Sequence, residues 1–90
     1  MKTTVIIPNY NGIDYLENCL RSLESSFTDK APAFEVCIVD NGSVDGSPEM
    51  AEQLFPWIHI IRFPENRGFC AAINEGITRA CTPYVFLLNN

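Results

Sequence analysis

Positive charge is scarce in this sequence. Six lysines and arginines stand against eleven aspartates and glutamates, giving a net charge of −5. Nucleic acid and anionic membrane surfaces are therefore not expected as partners, because both require a basic patch. A local anion site built from backbone amides and helix ends is not excluded. Long apolar runs are missing as well. No stretch approaches the roughly 20 residues of a membrane span, and Val5-Ile6-Ile7 before Pro8 is too short for a secretory signal. A cytoplasmic protein is expected, with any membrane association supplied by C-terminal regions that this chain does not include. Cysteines are few and widely spaced, at positions 19, 37, 70 and 81. No C-x-x-C pair exists and the single histidine, His59, completes no zinc set at a familiar spacing. Reduced thiols packed as small hydrophobes are expected.

What is present fits one small domain. Ninety residues with 47% apolar content suit a globular chain of marginal stability, not a disordered one. Strand and helix patterns alternate. Thr4 to Pro8 is a short β-branched run that reads as a buried strand, broken by Pro8-Asn9-Tyr10-Asn11-Gly12. Leu16, Cys19, Leu20 and Leu23 then mark one face of a helix. After a loop from Thr28 to Ala33, Phe34 to Val39 forms the second strand and Asp40 closes it. Ser47 followed by Pro48 predicts a helix start with a hydroxyl at the N-cap and proline at the first helical position. Met50, Ala51 and Leu54 form the inner face of that helix, and Pro56 ends it.

Ile58, Ile60 and Ile61 predict a third strand. Phe69, Ala72, Ile73, Gly76, Ile77 and Ala80 predict a third helix, and Tyr84 to Leu88 a fourth strand. Gly76 inside a helix costs about 1 kcal/mol against alanine, which points to a close helix–sheet contact. Apolar strands separated by helices imply an α/β fold. The expected form is a Rossmann-like parallel sheet of about four strands with three helices, in three layers, with strand order 3-2-1-4.

In such sheets ligands bind beyond the carboxyl ends of the strands. That rule selects Pro8 to Gly12, Asp40 to Asp45, Pro64 to Gly68, and Asn89 with Asn90. Tyr10 can stack on a planar base while Asn9 and Asn11 hold the turn, or it can simply cap the core. Asp40 ends an apolar strand, and a partly desolvated carboxylate needs donors. They come either from loop amides, as an Asx-turn over Asn41-Gly42, or from a ligand N–H such as that of uracil; cytosine lacks this proton. Ser43 and Asp45 most simply cap the helix that follows them. Gly68 lets backbone approach a ligand at a helix N-terminus, and Arg67 is either a phosphate contact or a solvated side chain.

Taken in order, V-I-I-P-N-Y-N-G (5–12), V-D-N-G-S-V-D-G-S (39–47), E-N-R-G-F (65–69), A-I-N-E-G-I (72–77) and Y-V-F-L-L-N-N (84–90) resemble the family 2 glycosyltransferases. These are inverting enzymes of the GT-A fold, and the details are most similar to the rhamnosyl- and galactofuranosyl-transferase-like branch. The resemblance implies a donor site for a nucleotide-diphosphate sugar, uridine- or thymidine-linked. Pro8, Tyr10 and Asn11 would hold the base, Asp40 would read its N–H, and Asn66 and Gly68 would lie beside base and ribose. Asn89 would take the first position of the Asp-x-Asp motif, facing the ribose. The second aspartate, which ligates Mg²⁺ or Mn²⁺, would follow Asn90, and the catalytic base would lie far downstream.

The resemblance therefore implies that residues 1–90 are one donor-binding subdomain, truncated before the metal carboxylate and inactive alone. The acceptor, a saccharide or lipid-linked saccharide, would be bound elsewhere, and a role in cell-surface polysaccharide synthesis is implied. Homodimerisation through the open edge of the fourth strand is expected. A nucleotidyltransferase-like domain is the alternative enzyme, but it would want a Gly-rich, basic first loop. A phosphoacceptor receiver domain would want an acidic pair after the first strand, and Pro8-Asn9 is not one. A non-catalytic association module is the remaining alternative.

Overall fold

Four strands lie side by side, and the two central ones are apolar enough to bury both of their faces. In the computed structural model, which describes residues 2–27 and 32–89, they are β1 (Thr3–Asn9), β2 (Glu35–Asn41), β3 (His59–Phe63) and β4 (Tyr84–Leu87). All pairings are parallel and the order is β3-β2-β1-β4, as the sequence predicts. Three helices connect them: α1 (Ile13–Glu24), α2 (Ser47–Leu54) and α3 (Phe69–Arg79). Most of the predicted loop (28–31) and Asn90 lie outside the described residues.

Strand side chains alternate between faces, so each central strand feeds two cores. Val5, Ile7, Val36 and Ile38 meet Leu16 and Leu20 of α1 and Ala51 of α2. Ile6, Cys37 and Val39 meet Phe63 and, from α3, Ala72 and Ile73. The result is the expected three layers, with α1 and α2 on one face and α3 on the other. Burying each such aliphatic side chain contributes about 1.5–3 kcal/mol. Gly76 makes the predicted close contact: a Cβ placed there would sit 2.6 Å from Cγ2 of Ile6.

Several local expectations are corrected. β2 runs through Asp40 to Asn41, because Asp40 pairs with Asn9 on one side and Arg62 on the other. β3 begins at His59 and reaches Phe63, later than Ile58–Ile61 suggested. Ser47 is the first residue of α2 and makes no capping bond; the cap is Gly46, at φ +85°. Leu54, Phe69 and Ile77 are exposed and belong to neither core. Of the cysteines, Cys37 is buried and Cys19 half-buried, and burial pushes both thiols up. Cys70 and Cys81 are exposed, so they are not the core thiols expected; all four are free.

Candidate functional site

The parallel sheet puts every strand's carboxyl end on one rim, and three loops meet there. The loop after β1 carries Tyr10, Asn11 and Gly12, with Asn11 at φ +50°. The loop after β2 runs from Gly42 to Gly46. The loop after β3 carries Asn66, Arg67 and Gly68. Between the first and third lies a cavity of about 370 Å³, lined on one side by Pro8, Asn9 and Tyr10 to Gly12, with Tyr15 of α1. The opposite side is formed by Asn66, Gly68 and Phe69, the floor includes Asn41, and Asn89 closes the β4 end. Three exposed aromatic rings thus border amide-rich backbone. Tyr10 is 54% exposed, Tyr15 67% and Phe69 54%.

The loop after β2 holds the others in place. Asp40 Oδ1 accepts from Asn9 Nδ2 at 2.9 Å and from the Ser43 hydroxyl at 2.7 Å, and Oδ2 accepts from the Ser43 N–H at 2.9 Å. Ser43 Oγ in turn accepts from the Asn11 N–H at 2.8 Å, and Asn11 Oδ1 accepts from the Val44 N–H at 2.9 Å. Asp45 Oδ2 accepts from the Ile13 N–H, the start of α1, while its Oδ1 accepts from the N–H and hydroxyl of Ser47. Burial pushes the Asp45 carboxyl up, but its hydrogen bonds from Ser47 and Ile13 outweigh this and hold it below the usual carboxylate range. On the other side, Asn41 bonds to the backbone of Arg67 and Gly68.

The structure therefore brings Pro8, Tyr10, Asn11, Asn66, Gly68 and Asn89 around one cavity. It does not bring Asp40 there. That residue is 1% exposed and borders a separate hollow of about 350 Å³ with Arg62 and Pro64. Its donors are supplied by the protein, in the Asx-turn arrangement. Arg67 also lies away from the cavity lining, its guanidinium 4.7 Å from the centre of the Phe63 ring. Asp45 does cap α2 as expected, through the Ser47 N–H, and with its other oxygen it also caps α1; Ser43 makes no bond to α2 and serves Asp40 and Asn11 instead.

Sequence reasoning passed over Tyr15, Phe69 and Asn41. Helical periodicity points to buried faces and so assigns the two aromatics to no site. Asn41 reads as a turn residue in the sequence, although a buried amide at a strand end needs both a donor and an acceptor partner. As for a divalent cation, no group of three or more His, Cys, Asp or Glu side chains among the described residues is placed to hold one. Asn89 offers only a neutral amide oxygen. The described residues do not by themselves fit a Mg²⁺ or Mn²⁺ site.

Comparison with known proteins places this geometry. The family profile described as glycosyl transferase family 2 matches residues 4–90. The glycosyltransferase YfnE of Bacillus subtilis is 42% identical over 83 residues, covering 89% of this chain and 20% of YfnE. TuaG of the same organism, a putative teichuronic acid biosynthesis glycosyltransferase, is 33% identical over 90 residues, covering 97% of this chain and 34% of TuaG. This chain thus spans 20% of the length of YfnE and 34% of that of TuaG. Residues 1–349 of S. aureus TarS in complex with UDP superpose with a TM-score of 0.86 at 27% identity, over 99% of this chain and 27% of that one. A mannosyltransferase from Pyrobaculum calidifontis, in complex with GDP-Man and Mn²⁺, gives 0.70 at 29% identity, over 88% of this chain and 24% of that one. Its sheet order, helices and strand-end motifs, together with the match over residues 4–90, make this chain a member of glycosyl transferase family 2.

Proposed function

We propose that this chain is the donor-binding subdomain of a cytoplasmic glycosyltransferase. The whole enzyme would move a sugar from a UDP- or dTDP-linked donor to a hydroxyl of a saccharide or lipid-linked acceptor, with inversion, in cell-surface polysaccharide synthesis. The observation that carries this reading is the rim cavity at the strand ends, which an exposed Tyr10 lines together with Asn66 and Gly68. TarS, which this chain resembles over 99% of its length, has been solved with UDP and with UDP-GlcNAc. No helix among the described residues is long and apolar enough to cross a membrane.

In this reading Tyr10 gives the base a stacking face, worth about 0.5–1.5 kcal/mol beyond buried area. Pro8 and Asn11 shape the loop beneath it. Asn66 and Gly68 flank base and ribose, and Asn89 faces the ribose. Arg67 reaches a phosphate only by leaving the Phe63 ring. Asp40 reads the base N–H with the lone pair that remains, since a carboxylate has about four acceptor positions and three are filled internally. That bond requires the base to descend to the strand tip below Ser43. A base that stays at the level of Tyr10 leaves Asp40 only as the holder of Ser43 and Asn9.

The chemical step would need residues this chain does not supply, including a base to deprotonate the acceptor and the metal carboxylate; the isolated 90 residues are expected to be inactive. Mg²⁺ or Mn²⁺ is proposed for the complete enzyme, where it would stabilise the leaving diphosphate.

Calorimetric titration with UDP, dTDP and CDP tests the assignment. UDP and dTDP should bind, weakly, and CDP more weakly still. Asp40→Asn should cost UDP about 1–3 kcal/mol, the cost of an unpaired polar group. Equal affinity for UDP and CDP in the wild type would reject the role of Asp40 as base reader, and absence of UDP binding would reject the donor site.

A further inference from the structure

Both walls of the cavity are fastened to the same three residues of the chain. Asn41 holds one wall: its Oδ1 accepts from the Arg67 N–H at 3.0 Å, and its Nδ2 donates to the Gly68 carbonyl at 3.1 Å. Ser43 holds the other, through the Asn11 N–H. Between them Gly42, at φ +77°, lies so close to the third loop that a Cβ would sit 2.7 Å from Glu65 backbone atoms. Among the described residues no hydrogen bond runs directly between Tyr10–Gly12 and Asn66–Gly68. The distance across the cavity is therefore set through residues 41–43.

The wall that Asn41 holds is one that would not keep its shape unaided. Gly68 sits at φ +93°, ψ 164°, a region essentially confined to glycine. Conformations of this kind persist when surrounding bonds over-determine them. Three do so here: the two from Asn41, and the Gly68 N–H donated to Asn66 Oδ1 at 2.8 Å. Asn41 is also 4% exposed and borders the cavity itself. Its task requires an acceptor and a donor on one planar head at the same time, which an amide provides and a carboxylate does not.

We infer that Asn41 is a positioning residue of the ligand site, fixing the Asn66–Gly68 wall at the separation from Tyr10 that a nucleobase requires. This rests on the donor-site reading above. Asn41→Asp keeps the shape and the acceptor but loses the donor and sets a negative charge against the Gly68 carbonyl. It should weaken UDP by about tenfold, the size expected when one buried polar group loses its partner. The measurement is made well below the melting temperature of the variant, with intact strand amide protection in β1 and β2 as the control for folding. The Arg67 amide should then exchange faster in the variant. Asn41→Gln, which keeps both groups on a longer stem, should recover part of the affinity.

A purely structural Asn41 would lower thermal stability and leave UDP affinity unchanged in the folded variant; that result overturns the inference and leaves the donor site standing. Wild-type protein that fails to bind UDP overturns both. If Asn41→Asp does not fold, the wild type decides. Saturating UDP should slow exchange of the Arg67 amide, and unchanged exchange on saturation overturns the proposal.

Discussion

Ile13 and Asp45 are joined by a 2.9 Å hydrogen bond from the Ile13 backbone N–H to the Asp45 carboxylate, across 32 residues of sequence. Gly12, at the N-cap of α1, has no side chain to do this. The first helix is thus capped from a different loop, and the loop that carries Tyr10 is held at both ends by the segment after β2. A side-chain cap contributes about 1 kcal/mol, so Asp45→Ala should lower stability by roughly that amount, read from the urea midpoint with an unchanged slope.

Acid should produce the same loss. Net hydrogen bonding holds the Asp45 carboxyl below its ordinary value in the folded chain. A depressed folded pKa gives stability that is present above the unfolded value of about 3.9 and is lost as pH falls through the folded value. The urea midpoint should therefore fall below about pH 4, and fall less steeply in Asp45→Asn than in the wild type. Parallel pH curves for the two proteins would show that Asp45 does not carry this dependence. The exposure of Asp45 keeps the effect small and salt-sensitive.

Gly76→Ala sets two effects against each other. Helix propensity favours alanine by about 1 kcal/mol. The new Cβ would lie 2.6 Å from Cγ2 of Ile6, a fully buried side chain that cannot swing away. Overpacking of this kind costs about 1–3 kcal/mol, so the variant should be no more stable than wild type and is expected to be less so. In an Ile6→Ala background the penalty should shrink, and a thermodynamic cycle showing no coupling between the two sites would refute the contact.

At Gly42 the obstacle is backbone, not side chain. The positive φ costs an alanine about 1–2 kcal/mol, and Glu65 and Asn66 would have to move to admit the Cβ. Gly42→Ala should lower stability by more than about 2 kcal/mol. It should also weaken UDP, because the displaced residues form one wall of the cavity. A stable Gly42→Ala with wild-type UDP affinity would contradict this.

The architecture was legible because its cause is local. Val5-Ile6-Ile7 and Val36-Cys37-Ile38-Val39 are apolar at every position, which only a sheet covered on both faces accommodates. Strand ends were less legible, since β2 continues through Asp40 and Asn41 by pairing with Asn9 and Phe63, residues far away in sequence. The cavity-lining positions Tyr10, Asn66, Gly68 and Asn89 were reachable from the strand-end rule. The bonds of Asp40 to Ser43 and of Asp45 to Ser47 were reachable too, as a turn and a helix cap. The bonds of Asp40 to Asn9, of Asn41 to Arg67 and Gly68 and of Asp45 to Ile13 were not, because sequence reasoning assigns a polar side chain to its own turn or to the next helix. Phe69 and Ile77 show the converse failure: helical spacing marks a face as apolar without saying how much of it a neighbour covers.

The two edges of the sheet are protected unequally. On β3, Arg62 pairs with Glu49 and Glu52 of α2, and charge at an edge discourages strand addition. β4 carries no charge, and its four residues are all exposed: Tyr84 66%, Val85 38%, Phe86 58% and Leu87 48%. By register, Phe86 lies beside Val5 on the α1 side and Val85 beside Thr4 on the α3 side, so both faces of this strand lack cover. The 90-residue chain is therefore expected to self-associate through β4. Sedimentation should show concentration-dependent dimers, and Val85→Lys or Phe86→Lys should return the protein to monomer with little change in UDP affinity, since neither residue borders the rim cavity. A wild type that stays monomeric throughout the micromolar range would mean that uncovered apolar surface on this edge is too small to drive pairing.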